Sequence, residues 1–226
     1  MNPDVQIIVP VYNEAKVVRS TIQGLSKSFA NIVCVNDGST DNSFGEISKT
    51  KATIVSHPIN LGQGAALQTG IDFALQNKNA DYFVTFDSDG QHQVEDIKRM
   101  LDYIRHHDVD IVLGSRFLGT AENIPSAKRI MLKLAVKFTN RASGIKLTDA
   151  HNGLRVFNRR VAENLNILNP DFSHASEVIE TIATKQFKYK ELPVTIVYSD
   201  YSKSKGQSMF NAINMGLDIL FDRIIK

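Results

Sequence analysis

Cysteine is nearly absent: Cys34 is the only one among 226 residues, so no disulfide framework can form within one chain. Its place in the apolar run Ile32 to Val35 reads as a small buried hydrophobe, not a reactive thiol. Long apolar stretches are missing as well. No window approaches the roughly 18 uninterrupted apolar residues of a spanning helix. The amino terminus, MNPDVQIIVPVYNE, has no basic region ahead of a long apolar segment, so it reads as a strand and not as a signal peptide. The expected location is cytoplasmic. An excess of charge of one sign is also lacking: 26 basic against 24 acidic residues leave a net charge of +2. No basic segment is rich in aromatics, which argues against nucleic acid as a partner. There is no low-complexity tract and no internal repeat. A chain of this length with 42% hydrophobic and 22% charged residues buries one substantial core.

What is present is alternation. Val5 to Val9 is a short, apolar, β-branched run closed by Pro10, which cannot continue a sheet ladder. Similar runs recur at Ile32 to Val35, Ala52 to Val55, Tyr82 to Phe86 and Asp110 to Leu113. Between them lie helix-like segments. Glu14 to Lys27 carries Val17, Val18, Ile22 and Leu25 at helical spacing, Gly62 to Gln76 has few charges, and Val94 to His106 sets Ile97, Met100, Leu101 and Ile104 on one stripe. The alternation predicts an α/β fold, a mostly parallel central sheet sandwiched by helices. After Gly114 the rhythm changes. Ser126 to Arg141 reads as a basic amphipathic helix, and GIKLTDAHNGLRVFNRR alternates polar turns with short apolar pieces. Ala175 to Thr184 can be a helix, and Tyr189 to Tyr198 a strand that tolerates Pro193 only at an edge or bend. Ser199 to Ser208 has the composition of a mobile loop. Beyond it Met209, Ile213, Leu217, Leu220, Phe221 and Ile224 can lie on one helical stripe.

In an open parallel sheet, ligands bind beyond the carboxyl ends of the strands. The loops predicted there are PVYNE, NDGSTD, HPINLGQG, DSDGQH and GSRF. Asp87 and Asp89 are alternate carboxylates leaving a strand, and they can meet one divalent cation, with hard oxygen ligands suited to Mg²⁺ or Mn²⁺. An isolated D-S-D is more simply an Asx turn; four polar companion loops favour the metal. In NDGSTD, Asp37 and Gly38 can make a turn, and Thr40 or Asp41 can cap the helix that follows. Asp37 also ends a strand, where a carboxylate can accept from a base N–H or a ribose hydroxyl. NLGQGAALQTG lacks the third glycine of a dinucleotide fingerprint, and no P-loop is present.

Taken in order, VPVYNE, VNDGSTD, NLGQGAALQTGI, FDSDGQH, GSRF and DAHNGLRVF resemble the catalytic domain of glycosyltransferase family 2. The closest likeness is to its dolichyl-phosphate mannose synthase and polyprenyl-phosphate branch, over roughly Val5 to Ser208. The resemblance implies a single GT-A domain over 1–226: a nucleotide-sugar-binding half (1–118), an acceptor-side half (119–208) and a C-terminal amphipathic helix (209–226). It further implies a nucleotide-diphosphate sugar as donor, a divalent metal, and inversion at the anomeric carbon; between nucleotides, UDP is expected ahead of GDP. On matching positions it assigns Pro10, Tyr12 and Glu14 to the base-binding loop and Asp37 to the base, with Gly62, Gln63 and Ser88 also on the nucleotide sugar. Asp87, Asp89 and Gln91 fall to the metal, and Arg116 and Arg129 to donor or acceptor phosphate.

Cleaving the sugar–phosphate bond builds charge on the diphosphate, which a cation and Arg116 can stabilise. A phosphate acceptor attacks already ionised, whereas a hydroxyl needs a base. Asp149, Glu177 and His151 are the candidates, and Asp149 leads. His151 and Asn152, candidates for phosphate or acceptor contact, depart from the small residues commoner ahead of the branch's Gly-Phe-Arg, and Leu154 replaces its phenylalanine. The expected acceptor is a polyprenyl phosphate or lipid-linked glycan in envelope polysaccharide or glycoconjugate assembly, with a soluble saccharide or protein hydroxyl as alternative. A nucleotidyltransferase ranks lower, because VPVYNE is no phosphate loop. A non-catalytic sugar-nucleotide subunit ranks lower because Asp87, Asp89 and Arg116 are intact. Lys203 and Lys205 resemble cations of a loop that closes over donor phosphates. The basic helix and the C-terminal stripe leave room for peripheral contact at the inner membrane face, a small membrane-anchored partner or a homo-oligomer.

Overall fold

The computed structural model describes residues 2–122, 126–169 and 174–197. The first half alternates strictly: β1 (Val5–Val11), α1 (Val18–Ser26), β2 (Asn31–Asp37), α2 (Ser43–Ser48), β3 (Thr53–His57), α3 (Gln63–Ala74), β4 (Tyr82–Thr85), α4 (Val94–His106). Then follow β5 (Ile111–Glu122), α5 (Ser126–Ser143), β6 (Arg155–Asn158), α6 (Arg159–Ala162), α7 (His174–Thr184) and β7 (Tyr189–Val197). The seven strands form one sheet in the order β3-β2-β1-β4-β6-β5-β7. All neighbours pair in parallel except at β6, which runs antiparallel to both β4 and β5.

β1 is buried along its whole length, so its alternate residues feed two apolar layers. Ile7 and Val9 pack with Ile22 and Leu25 of α1 and Ile97 and Met100 of α4. Ile8, Phe83 and Phe157 pack on the other face with Leu67 and Ile71 of α3 and Ile179 of α7. The approach of α3 depends on Gly70, where a Cβ would stand 2.4 Å from Cγ2 of Ile8.

Several predicted boundaries move. Pro10 does not close β1: it lies inside the strand, opposite Val35. It shares the parity of Ile8, whose carbonyl accepts from Phe86 N–H as β4 ends, so the missing N–H faces a side with no partner strand. GSRF is not a loop, because β5 continues through it alongside β7, with an irregularity between Ser115 and Thr120. That pairing also carries the strand across the expected 118/119 boundary. Pro193 sits on β7, the edge strand, as its chemistry requires. β6 itself had no clear strand signal, since only Val156 and Phe157 are apolar in its four residues. No helix among the described residues is long and apolar enough to cross a membrane.

Candidate active site

The loops after β1 and β2 interlock. Asn13, at φ 54°, accepts at Oδ1 from the backbone N–H of Thr40 (2.8 Å) and Asp41 (3.3 Å). The Glu14 amide donates to Ser43 Oγ (2.8 Å) and the Ala15 amide to Asp41 Oδ2 (3.1 Å). This docking uses the residues expected to open the first helix, so α1 starts at Val18 and not at Glu14. Asp41 accepts from Ser43 N–H (2.9 Å) at the start of α2, while Thr40 spends its amide on Asn13. Pro10 and Glu14 are buried and Tyr12 is exposed.

Asp37 ends β2 with its carboxylate fully engaged. His57 Nδ1 (2.7 Å) and the Leu61 amide (2.8 Å) meet Oδ1; Asn60 Nδ2 (3.0 Å) and the Gly62 amide (2.9 Å) meet Oδ2. A carboxylate offers about four acceptor sites, so the structure shows Asp37 holding the loop between β3 and α3, not open toward a base. The turn needs its glycines: Gly38 has φ +61°, and a Cβ there would lie 2.2 Å from the Ile59 carbonyl carbon. Gly62, at φ 96°, precedes α3. The acceptor left over at this strand end is Asn36 Oδ1, buried and without a partner among the described residues. Sequence reasoning passed over it because asparagine beside Asp-Gly reads as turn chemistry.

The loop after β4 brings Asp87, Asp89 and Gln91 together. Asp87 accepts from Gln63 Nε2 (3.2 Å) at Oδ1 and from His92 Nε2 (3.0 Å) at Oδ2. It lies flat against Gly153, where a Cβ would stand 2.2 Å from Oδ2. Burial pushes its pKa up, but the hydrogen bond and charge of His92, with the charges of Arg155 and His174, outweigh this and hold it low. Asp89 behaves oppositely: burial and the charge of Asp87 push it up to about 6, against smaller opposing effects of His92 and Gln91. Gln91 donates its backbone N–H (3.0 Å) and its side-chain amide to Asp89. Ser88 is buried, and its carbonyl accepts from Thr21 Oγ1 of α1 (3.3 Å). β7 steadies the same loop through Val197 N–H to Gln91 O (3.0 Å).

Two carboxylates near enough for one to raise the other's pKa, with an amide beside them, form an all-oxygen donor set that a divalent cation would relieve. Mg²⁺ and Mn²⁺ are commonly held by one or two carboxylates plus water and phosphate. The residues therefore fit such a cation, although no group of three or more His, Cys, Asp or Glu among the described residues is arranged to hold a metal by itself. His92, buried behind Asp87, is a site residue that sequence reading missed; its only signal was its place in FDSDGQH.

In the half expected to face the acceptor, the structure corrects three assignments. Arg116 and Asp149, read as a phosphate ligand and a base, hold each other. Arg116 donates to Asp149 Oδ2 from Nε (2.6 Å) and from its backbone N–H (3.0 Å), and its guanidinium also reaches His151 O (3.0 Å). The Asp149 side chain has no exposed surface, so it cannot meet an acceptor proton. Glu191 of β7 fastens the same turn by accepting from the amides of Thr148 and Asp149. Glu177 is not placed as a base either: it accepts from the amides of Leu168 (3.0 Å) and Asn169 (3.0 Å). His151 is held neutral, its pKa pushed down to about 4 by burial first and then by Arg116 and Arg155, against Asp149. Asn152 is buried, with Oδ1 accepting from Leu154 N–H (2.9 Å). The side chain of Arg129, Lys203, Lys205 and the stripe from Met209 lie outside the described residues.

Residues 6–165 match Glycosyl transferase family 2. The chain is 34% identical to the uncharacterized protein MJ1222 of Methanocaldococcus jannaschii, over 99% of this chain and 92% of that one. It is 29% identical to the UDP-N-acetylglucosamine–dolichyl-phosphate N-acetylglucosaminyltransferase of Methanococcus voltae, over 91% and 90%. Among solved structures, glucosyl-3-phosphoglycerate synthase of Mycobacterium tuberculosis, in complex with Mn²⁺, UDP-glucose and phosphoglyceric acid, matches with a TM-score of 0.71. That likeness is at 14% identity over 96% of this chain and 77% of that one, and it shows the fold, GT-A. With two carboxylates leaving β4 at the carboxyl edge of such a sheet, and the family's sequence over most of its length, the chain belongs to glycosyl transferase family 2 and is a glycosyltransferase.

Proposed function

We propose that the chain transfers a sugar from a nucleoside diphosphate, UDP ahead of GDP, to the phosphate of a polyprenyl phosphate in envelope polysaccharide or glycoconjugate assembly. One observation carries the acceptor: none of the three candidate bases is poised, since Asp149 is spent on Arg116, Glu177 on the amides of Leu168 and Asn169, and His151 is buried with its pKa pushed down to about 4. A phosphate monoester arrives ionised and attacks without surrendering a proton; a sugar hydroxyl cannot. The Methanococcus voltae relative, named for UDP-N-acetylglucosamine and a dolichyl phosphate, supports the same donor and acceptor classes.

In this reading an acceptor phosphate oxygen bonds to the anomeric carbon from the face opposite the diphosphate. The bond from that carbon to the diphosphate oxygen breaks, the configuration inverts, and the nucleoside diphosphate departs with the electron pair. Asp87 and Asp89, with Gln91 beside them, would hold Mg²⁺ or Mn²⁺, which would supply positive charge for the departing diphosphate. Gln63 and His92 keep Asp87 ionised and oriented, a supporting shell of the kind that fixes metal ligands. Asp37 and Asn13 shape the loops on the nucleotide side. Exposed Leu134, with Lys133 and Lys137 on α5, supports a peripheral seat at the inner membrane face.

The test offers labelled UDP-N-acetylglucosamine, UDP-glucose or GDP-mannose with citronellyl phosphate, citronellol or free sugars as acceptors, with Mn²⁺ or with EDTA. Transfer to the phosphate, abolished by EDTA, is expected. Transfer to hydroxyl acceptors but not to the phosphate would overturn the reading.

A further inference from the structure

Arg155 opens β6 in the middle of the sheet, between Thr85 of β4 and Leu113 of β5. It is 4% exposed. A guanidinium carries five N–H donors, yet the Arg155 side chain forms no hydrogen bond among the described residues. Its charge is felt by Asp87 and Asp149, but both already have partners of their own. Arg116 holds Asp149, and His92 with Gln63 holds Asp87.

Two further side chains of the same segment each keep one polar atom without a partner. Asn152 Nδ2 and His151 Nε2 are buried and unpartnered. Asn152 is fixed through its oxygen on Leu154 N–H, which leaves the amide nitrogen unspent. The segment cannot relax away from the site, since Gly153 O accepts from Thr85 Oγ1 at 2.6 Å and the Asp87 carboxylate rests on the Gly153 backbone. Leaving buried polar groups unmet is unfavourable. Ordered water can satisfy an amide; the charge of Arg155 is partly balanced by Asp87 and Asp149, and its N–H donors suit the oxygens of an anion.

We propose that Arg155, together with the side-chain amide of Asn152, seats the phosphate monoester of the acceptor. The inference rests on the acceptor class proposed above and names the residues that receive it. A planar guanidinium fork matches two phosphate oxygens at once, and a seat beside Asp87 brings the nucleophile to the metal-bearing edge.

The experiment titrates citronellyl phosphate and inorganic phosphate calorimetrically into the full chain with UDP and Mn²⁺, comparing wild type with Arg155→Met, Arg155→Lys and Asn152→Ala. Loss of a charge-assisted pair is expected to weaken both phosphates about tenfold or more in Arg155→Met. Arg155→Lys should recover part of this, and the loss of phosphate affinity should exceed any change in UDP–Mn²⁺ affinity, which the Arg155 charge also touches through Asp87. Should Arg155→Met not fold, Asn152→Ala reads the same seat, with an expected loss of about fivefold. Unchanged phosphate affinity in a folded Arg155→Met or Asn152→Ala overturns the inference, as does an equal loss of donor and acceptor binding. Arg155-dependent binding of citronellyl phosphate well above that of inorganic phosphate supports a lipid source; comparable binding of the two supports a small phosphorylated acceptor at the same seat. Absence of transfer to citronellyl phosphate by wild type refutes the proposed function, while the titration still decides the seat.

Discussion

Gly153→Ala tests whether Asp87 is positioned by the segment that packs against it. An added Cβ would lie 2.2 Å from Oδ2, 2.5 Å from Oδ1 and 2.6 Å from Cγ of Asp87. Carbon and oxygen in close contact sit about 3.3 Å apart, so one partner must retreat by about 1 Å. If the carboxylate retreats, it leaves His92 at 3.0 Å and Gln63 at 3.2 Å. If the Gly153 backbone retreats, it strains the 2.6 Å bond from Thr85. Overpacking of this kind costs about 1–3 kcal/mol, and disturbing the support of a metal ligand weakens the metal about 10- to 100-fold. Urea unfolding and Mn²⁺ titration by electron paramagnetic resonance measure both effects. Gly24→Ala in α1 is the control: nothing lies within 4 Å of its Cβ, and the change is expected to stabilise by about 0.5–1 kcal/mol. Wild-type stability and Mn²⁺ affinity in Gly153→Ala would refute the positioning argument.

The Asp89 carboxyl is raised from 3.8 to about 6, so the folded metal-free protein holds a proton there that the unfolded chain has released, and this contribution to stability falls as pH rises from about 4 to 6. Asp89→Asn is therefore expected to raise the thermal midpoint of metal-free protein at neutral pH and to remove the upward shift given by Mn²⁺; a lowered midpoint contradicts this. Arg116→Ala strands a carboxylate with no exposed surface and should destabilise by about 3–5 kcal/mol, more than the double change Arg116→Ala with Asp149→Ala. Equal losses in urea titrations would mean the two do not form a unit. Burial pushes the Cys34 thiol up to about 12, so a thiol reagent should label it only after unfolding; rapid labelling of native protein would show an opening near β2.

The strands of the first half were legible because a parallel strand covered on both faces must be a short β-branched run, and Val5 to Val9 or Ile32 to Val35 admit few alternatives. The carboxylates of FDSDGQH were legible for a related reason, since charge directly after a buried strand must meet something. What stayed hidden depends on pairing between distant segments. GSRF carries a glycine and an arginine and looks like a loop until β7 lies beside it. Arg116 and Asp149 are residue types suited to catalysis, and nothing in the sequence says that each is consumed by the other. Asp37 could equally have met a base; its four donors come from His57 to Gly62, a loop whose path only the fold reveals.

The reversed strand β6 has a consequence for the order in which the protein can assemble. β4 is flanked by β1, made early, and by β6, which arrives only with Arg155–Asn158. A chain emerging from the ribosome therefore exposes one edge of β4 throughout the synthesis of α4, β5 and α5, and unpaired edges invite wrong partners. During that interval Asp87 has neither Gly153 beneath it nor Arg155 beside it. The loops after β1 and β2 can be complete while Asp87 and Asp89 are still loose, so the final geometry of that carboxylate pair should be the last feature of this sheet edge to form.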